Sequence, residues 1–255
     1  MNLFYIIIVT FFAGMGAGLG TGFAGMSAAA VISPMLIAFL DMDPYMAVGI
    51  ALSSDVLASA VSAYTYGKNK NLDIKNGLLM MFSVLMFTVV GSYVASLLPS
   101  KTMGSFSVVM TFLLGIKFIV KPVMTTKEMM LEVSAKKRAI QSIICGTIIG
   151  FICGFVGAGG GMMMLLILTS IMGYELKTAV GTSVFIMSFT ALTGAASHFM
   201  IGGMPDLTVW LLCIVFTLLW AQIAALFANK AKPETLNRAT GVVLVVLGIV
   251  IFMFS

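Results

Sequence analysis

The stretch GMGAGLGTGFAGMSAA at 14–29 decides the fold once it is set against GTIIGFICGFVGAGGG at 146–161. A shift of 132 positions superimposes Gly14, Gly18, Gly22, Phe23 and Gly25 on Gly146, Gly150, Gly154, Phe155 and Gly157. Ser27-Ala28-Ala29 then lie opposite Gly159-Gly160-Gly161, and Ala47-Val48-Gly49 fall on Ala179-Val180-Gly181 without a gap. Apolar sequences rich in glycine and alanine resemble one another by chance, but two separate ungapped motifs in register are better explained by duplication. Duplicated halves are a habit of secondary transporters.

Composition sets the solvent. Of 255 residues, 60% are hydrophobic and only 9% charged, against roughly 25% charged in a soluble domain. The apolar runs are continuous and do not alternate with period two, which selects helices over a barrel. No basic region precedes the first run, so a cleaved signal peptide is not expected. No G-x-x-x-x-G-K-[ST] loop is present and no segment is polar enough for an ATPase domain, so transport would run on gradients. Cys145, Cys153 and Cys213 fall inside apolar runs and read as small buried hydrophobes, not as a metal or disulfide set.

The fold expected is an all-α integral membrane protein of two inverted-topology repeats. Each repeat carries broken or re-entrant glycine-rich short helices followed by three spans, about 8–10 helices in all. The apolar segments run at about 3–25, 27–40, 46–66, 76–98 and 103–121, then 139–157, 160–173, 178–200, 207–228 and 239–254. Residues 1–121 form the first repeat, 122–138 a cytoplasmic linker and 139–255 the second repeat. The second segment of each repeat is short: some 14 residues cover about 21 Å, less than the roughly 30 Å hydrocarbon core.

Charge orients these segments. Lys68, Lys70, Lys75, Lys117, Lys121, Lys127, Lys136, Lys137, Arg138, Lys177, Lys230, Lys232 and Arg238 can share the cytoplasmic side, leaving only Lys101 outside. That works if the first two segments of each half make no net crossing. Each half then crosses an odd number of times, the halves are inverted, and both termini face out of the cell (inner) membrane. The partners expected are the bilayer and a small solute, with no nucleic acid; a homodimer is compatible with this reading.

The glycine runs suggest what is bound. Gly20-x-Gly22-x-x-Gly25 matches a dinucleotide fingerprint formally, but no strand precedes it and its surroundings are apolar membrane sequence. Gly14, Gly18 and Gly22, at spacing four, read as close packing between helices. The run at 157–161, with its consecutive glycines, instead breaks a helix and frees backbone N–H groups at the start of the next one, whose dipole favours an anion. Two such breaks would aim two helix N-termini at one midplane site. The paired motifs, each followed by a short apolar segment and then Ala-Val-Gly or Ala-Val-Gly-Thr-Ser, resemble the TauE/SafE (TSUP) family of sulfite and organosulfur-anion transporters. The likeness spans nearly the whole chain, including Pro34 and Gly181-Thr182-Ser183; it departs at Leu166, where the first half has Pro34, and at Ile50-Ala51, opposite Thr182-Ser183. It implies a transported sulfur oxyanion or sulfonate, or a related carboxylate. The expected binding set is Gly25, Ser27, Gly157, Gly159, Gly160, Gly161, Thr182 and Ser183.

Asp55 is the acid placed well inside a span, and a buried carboxylate is a functional candidate by default. It would load and release a proton each cycle, or be held by neighbouring serines. Ser54, Tyr66 and His198 join it as coupling or gating candidates. Met162-Met163-Met164 could shape a soft pocket for sulfur. Neither cofactor nor metal is expected, and no catalytic residue. Two rivals are weighed: an intramembrane serine protease using Ser27 and His198, and an ion channel. The repeat counts against the first, since Ser27 aligns with Gly159 and His198 with Tyr66; the second needs a continuous polar pore lining.

Overall fold

The computed structural model describes residues 2–96, 113, 115–156, 160–202 and 204–254. All regular structure among them is helical: α1 Leu3–Ala24, α2 Ala29–Leu40, α3 Pro44–Lys68, α4 Ile74–Ser96, a helical stretch at 115–120, the single-turn α5 Lys127–Leu131, α6 Ala135–Val156, α7 Gly160–Ser170, α8 Leu176–Gly202, α9 Leu207–Lys230 and α10 Pro233–Phe254. Six of these, α1, α3, α4, α8, α9 and α10, are long and apolar enough to cross a bilayer. The chain is a multi-pass membrane protein.

Burial is inverted relative to a soluble domain, as lipid requires. Large apolar side chains such as Phe12, Leu57, Phe82, Ile144, Leu219 and Ile223 face outward. The interior holds small and hydroxyl residues, among them Thr21, Ser54, Ser59, Ser62, Thr182, Ser183, Thr217 and Thr240. Lipid tails give helices no hydrophobic reason to associate, so close backbone approach and interhelical hydrogen bonds carry the packing. On α1, a methyl group built at Gly14, Gly18 or Gly22 would lie within 2.6 Å of Phe216 Cβ, the Thr217 carbonyl or Ala224 Cβ on α9. On α6, the equivalent glycines 146 and 150 press on Met80 and Val84 of α4 in the same manner.

The pairing is therefore α1 on α9 and α6 on α4, with α3 and α8 packed together at the centre. α9 also packs extensively along α3, whereas α4 meets α8 over less of its length. α1 and α2 form a hairpin: Tyr5 and Phe39, at its open end, line one apolar groove with Gly16 and Val31. α2 and α7 stop alike. Asp41 (φ 49°) and Gly173 (φ 65°) both turn left-handed, and Met42 N–H and Tyr174 N–H reach back to the Leu36 and Leu168 carbonyls.

The connections collect at two ends. Asn71 donates to Asn229 at 2.7 Å, Lys177 to the Asn229 carbonyl at 3.0 Å, Lys127 to the Lys70 carbonyl, and the Val123 N–H to Asn237 at 2.7 Å. These mark a lysine-rich end. At the other end the Tyr45 and His198 rings stack at 4.2 Å, and Trp210 Nε1 donates to Ser53 at 2.7 Å.

Candidate functional site

The turn between α1 and α2 is held from several sides. Helix α1 ends because Gly25 takes a left-handed backbone (φ 59°), with its N–H on the Thr21 carbonyl. Such a turn leaves carbonyls without helical partners, and in lipid each must find a donor. Four hydroxyls supply them. Tyr66 of α3 donates to the Gly22 carbonyl at 2.8 Å, Thr240 of α10 to Phe23 at 3.2 Å, Ser183 of α8 to Gly25 at 3.3 Å, and Thr21 to Met26 at 2.9 Å.

The donors on the other side of the turn meet a carboxylate. Asp55, at the middle of α3 and 1% exposed, accepts from the Ser27 hydroxyl and from the Ser59 hydroxyl, both at 2.8 Å. It also accepts from the Ala28 backbone N–H at the start of α2. The α2 N-terminus is thus already met by a carboxyl group that belongs to the protein.

Beside it lies a cavity of about 190 Å³, lined by Ser27, Asp55, Leu52, Val84, Thr88, Gly161, Met164, Met187, Thr190, Ala191 and Gly194. The second break enters here. Gly160 opens α7, and Gly161 sits so close to Gly25 that a methyl group on it would run into the Gly25 carbonyl and come within 2.6 Å of Met187 Sδ. Gly157 and Gly159 lie outside the described residues. In the second half Met187 stands where the first has Asp55, so no carboxylate answers α7 from that position.

Of the residues singled out from sequence, Gly25, Ser27, Asp55, Gly161 and Ser183 come together here. Thr182 does not line the cavity; it accepts from the Asp73 N–H at the lysine-rich end. Ser54 bonds the Ile50 carbonyl of its own helix, and Tyr66 is buried as a support of the turn. His198 sits half-exposed at the opposite end against the Tyr45 carbonyl. Ser27 and His198 therefore have separate partners and form no dyad. Ser59, Thr88, Thr190 and the Ala28 N–H were not singled out, and neither was the cluster of Asp73, Tyr174 and Arg138. There Tyr174 donates to Asp73 Oδ2 at 2.9 Å, and burial, then the Asp73 charge, raise its hydroxyl above the ordinary tyrosine range, so it remains a donor.

The comparisons agree with this architecture. The chain is 25% identical over 244 residues to "Probable membrane transporter protein YunE" of Bacillus subtilis (strain 168), covering 91% of this chain and 89% of the relative. It is 21% identical over 234 residues to "Probable membrane transporter protein YdhB" of the same organism, covering 92% and 94%. It is 28% identical over 203 residues to "Probable membrane transporter protein MJ0441" of Methanocaldococcus jannaschii, covering 76% and 71%. No solved structure matches the chain. The family model described as "Sulfite exporter TauE/SafE" matches residues 10–251, nearly the whole length, and this membrane transporter chain belongs to that family.

Proposed function

We propose that the chain carries a small anion of the sulfur-oxyanion or organosulfonate type across the cell membrane, and that the anion binds in the cavity between the two breaks. The observation that supports this most directly is the meeting of Gly25 and Gly161 beside a cavity lined by Ser27, Asp55, Gly161 and Thr190. The two breaks serve different purposes in this reading. Asp55 fills the α2 N-terminus, and α7 offers its own N-terminal amides at Gly160 and Gly161 to the solute. Two negative charges facing one another across a small low-dielectric cavity repel strongly, so solute and Asp55 need a proton between them. Proton and anion then travel together.

The halves are read as inverted repeats with both termini outside and the lysine-rich end in the cytoplasm. The packing supports the repeat. The shift of 132 exchanges the α1–α9 and α6–α4 pairs, exchanges α9–α3 with α4–α8, and returns α3–α8 to itself, as a two-fold axis between α3 and α8 would. The matching ends of α2 and α7 support it independently.

The test is flux into liposomes of sulfite, thiosulfate, sulfoacetate and simple carboxylates, with and without a pH gradient. Saturable uptake of a sulfur anion that is lost in Gly160→Leu is expected, with Asp55→Asn removing the dependence on the gradient. Folded, monodisperse protein that moves none of these anions would overturn the reading.

A further inference from the structure

The cavity and the hydrogen-bond network occupy different levels of the bundle. At about 1.5 Å per residue, Val84 and Met187 lie some 15 Å along α4 and α8 from the helix starts at the lysine-rich end. Thr88 and Gly194 lie farther still, towards the opposite end. The cavity thus extends from the breaks towards the lysine-poor side, into the space where α4 parts from α8.

Below it the chain packs closely. The α3–α4 connection is threaded against the start of α8: a methyl on Gly181 would strike the Asn71 carbonyl and lie 2.8 Å from Tyr66 Cβ, and the Asp73 N–H donates to Thr182. Asp73 caps α4 through the Asn76 N–H (3.1 Å) and side chain (2.7 Å), and receives the Tyr174 hydroxyl at 2.9 Å. Arg138, 6% exposed, lies over the Tyr174 ring at 4.7 Å; its Nη2 donates to the Met130 carbonyl of α5, and its Nη1 has no partner among the described residues. One cluster therefore joins the first half (Asp73), the second (Tyr174) and the segment between them (Met130, Arg138).

We propose that Asp73, Tyr174 and Arg138 form a latch that seals the lysine-rich side while the cavity communicates with the other, and that its release admits the solute to the lysine-rich side. The symmetry of the packing describes the motion: α4 closes on α8 as α9 parts from α3. This rests on the transporter reading above, but its test needs no solute.

In a background with Cys145, Cys153 and Cys213 changed to alanine, single cysteines replace Thr88 in the cavity and Thr182 beneath the latch. Labelling by a membrane-impermeant thiol reagent is timed from each face of proteoliposomes. The unmodified latch is expected to leave Thr88→Cys reactive from the lysine-poor face and Thr182→Cys protected from the other. Tyr174→Phe removes the hydroxyl and keeps the ring under Arg138. Asp73→Asn removes the charge, and asparagine still caps α4. Loss of a hydrogen bond to a charged group is expected to raise Thr182→Cys labelling roughly tenfold in either variant and to lower Thr88→Cys labelling. Unchanged rates in both variants, or Thr88→Cys reacting only from the lysine-rich face, would overturn the latch. Shifted labelling in a protein that moves no tested anion would instead uphold the latch and sink the anion reading.

Discussion

Replacing Gly161 by alanine adds one methyl group at the point where the two breaks touch. Ideal geometry places it against the Gly25 carbonyl and 2.6 Å from Met187 Sδ, where ordinary contacts need more than 3.4 Å. Met187 can swing aside, since methionine is adaptable. The Gly25 carbonyl cannot, because Gly25 holds a left-handed turn and Ser183 donates to that oxygen. The displacement falls on backbone, so the cost belongs at the upper end for an overpacked core, about 3 kcal/mol. For a chain of this size that corresponds to roughly 6–12 °C in apparent Tm. Gly16→Ala is the control: its added methyl meets only the side-chain ends of Val31 and Leu247, at 3.1 and 3.2 Å. Thermal unfolding in detergent, followed by tryptophan fluorescence, should leave the control within a few degrees of wild type, about 1 kcal/mol or less. Equal melting of Gly161→Ala and wild type, or equal losses in both variants, would refute the claim that the breaks meet at Gly25 and Gly161.

Two further outcomes follow from the packing. Tyr66→Phe deletes the donor to the Gly22 carbonyl in a fully buried place and should cost about 1–3 kcal/mol, read as a lower Tm with the helical circular dichroism retained. Gly18→Val forces α1 away from α9, where the Thr217 carbonyl lies 2.6 Å from the new Cβ, and should abolish recovery of monodisperse protein on size exclusion; a normal monodisperse peak would contradict the α1–α9 seat.

What the sequence disclosed was its local and periodic content. Glycines at spacing four announced a close helix contact on one face of α1, because that spacing is a helical face whatever the partner is. The ends of α1 and α3 could be placed within about two residues from the limits of the apolar runs alone; the Asp43-Pro44 cap that starts α3 is a local signal that went unread. Asp55 stood out because an acid inside an apolar run has few cheap explanations. Its partner did not. Ser27 is 28 positions away, and only the folded hairpin brings its hydroxyl to Asp55. Tyr174 and Asp73 are 101 positions apart, and each looks like an ordinary loop residue until α8 is docked beside α4. Thr182 and Ser183 show the limit of a motif. The two are adjacent, yet a helix turns successive side chains by about 100°, so one braces the break and the other meets the α3–α4 connection.

The four hydroxyls at the α1–α2 turn have a mechanical consequence. They arrive from α1, α3, α8 and α10, so the turn ties elements of both halves to one knot of backbone. Each tie is a single neutral hydrogen bond, firm enough to fix a position and weak enough to tilt without breaking. A motion that spreads the helices at one end and gathers them at the other would leave this knot nearly still. It would act as a fulcrum, and Asp55, hung from the same turn, would stay at the pivot while access to it changed sides.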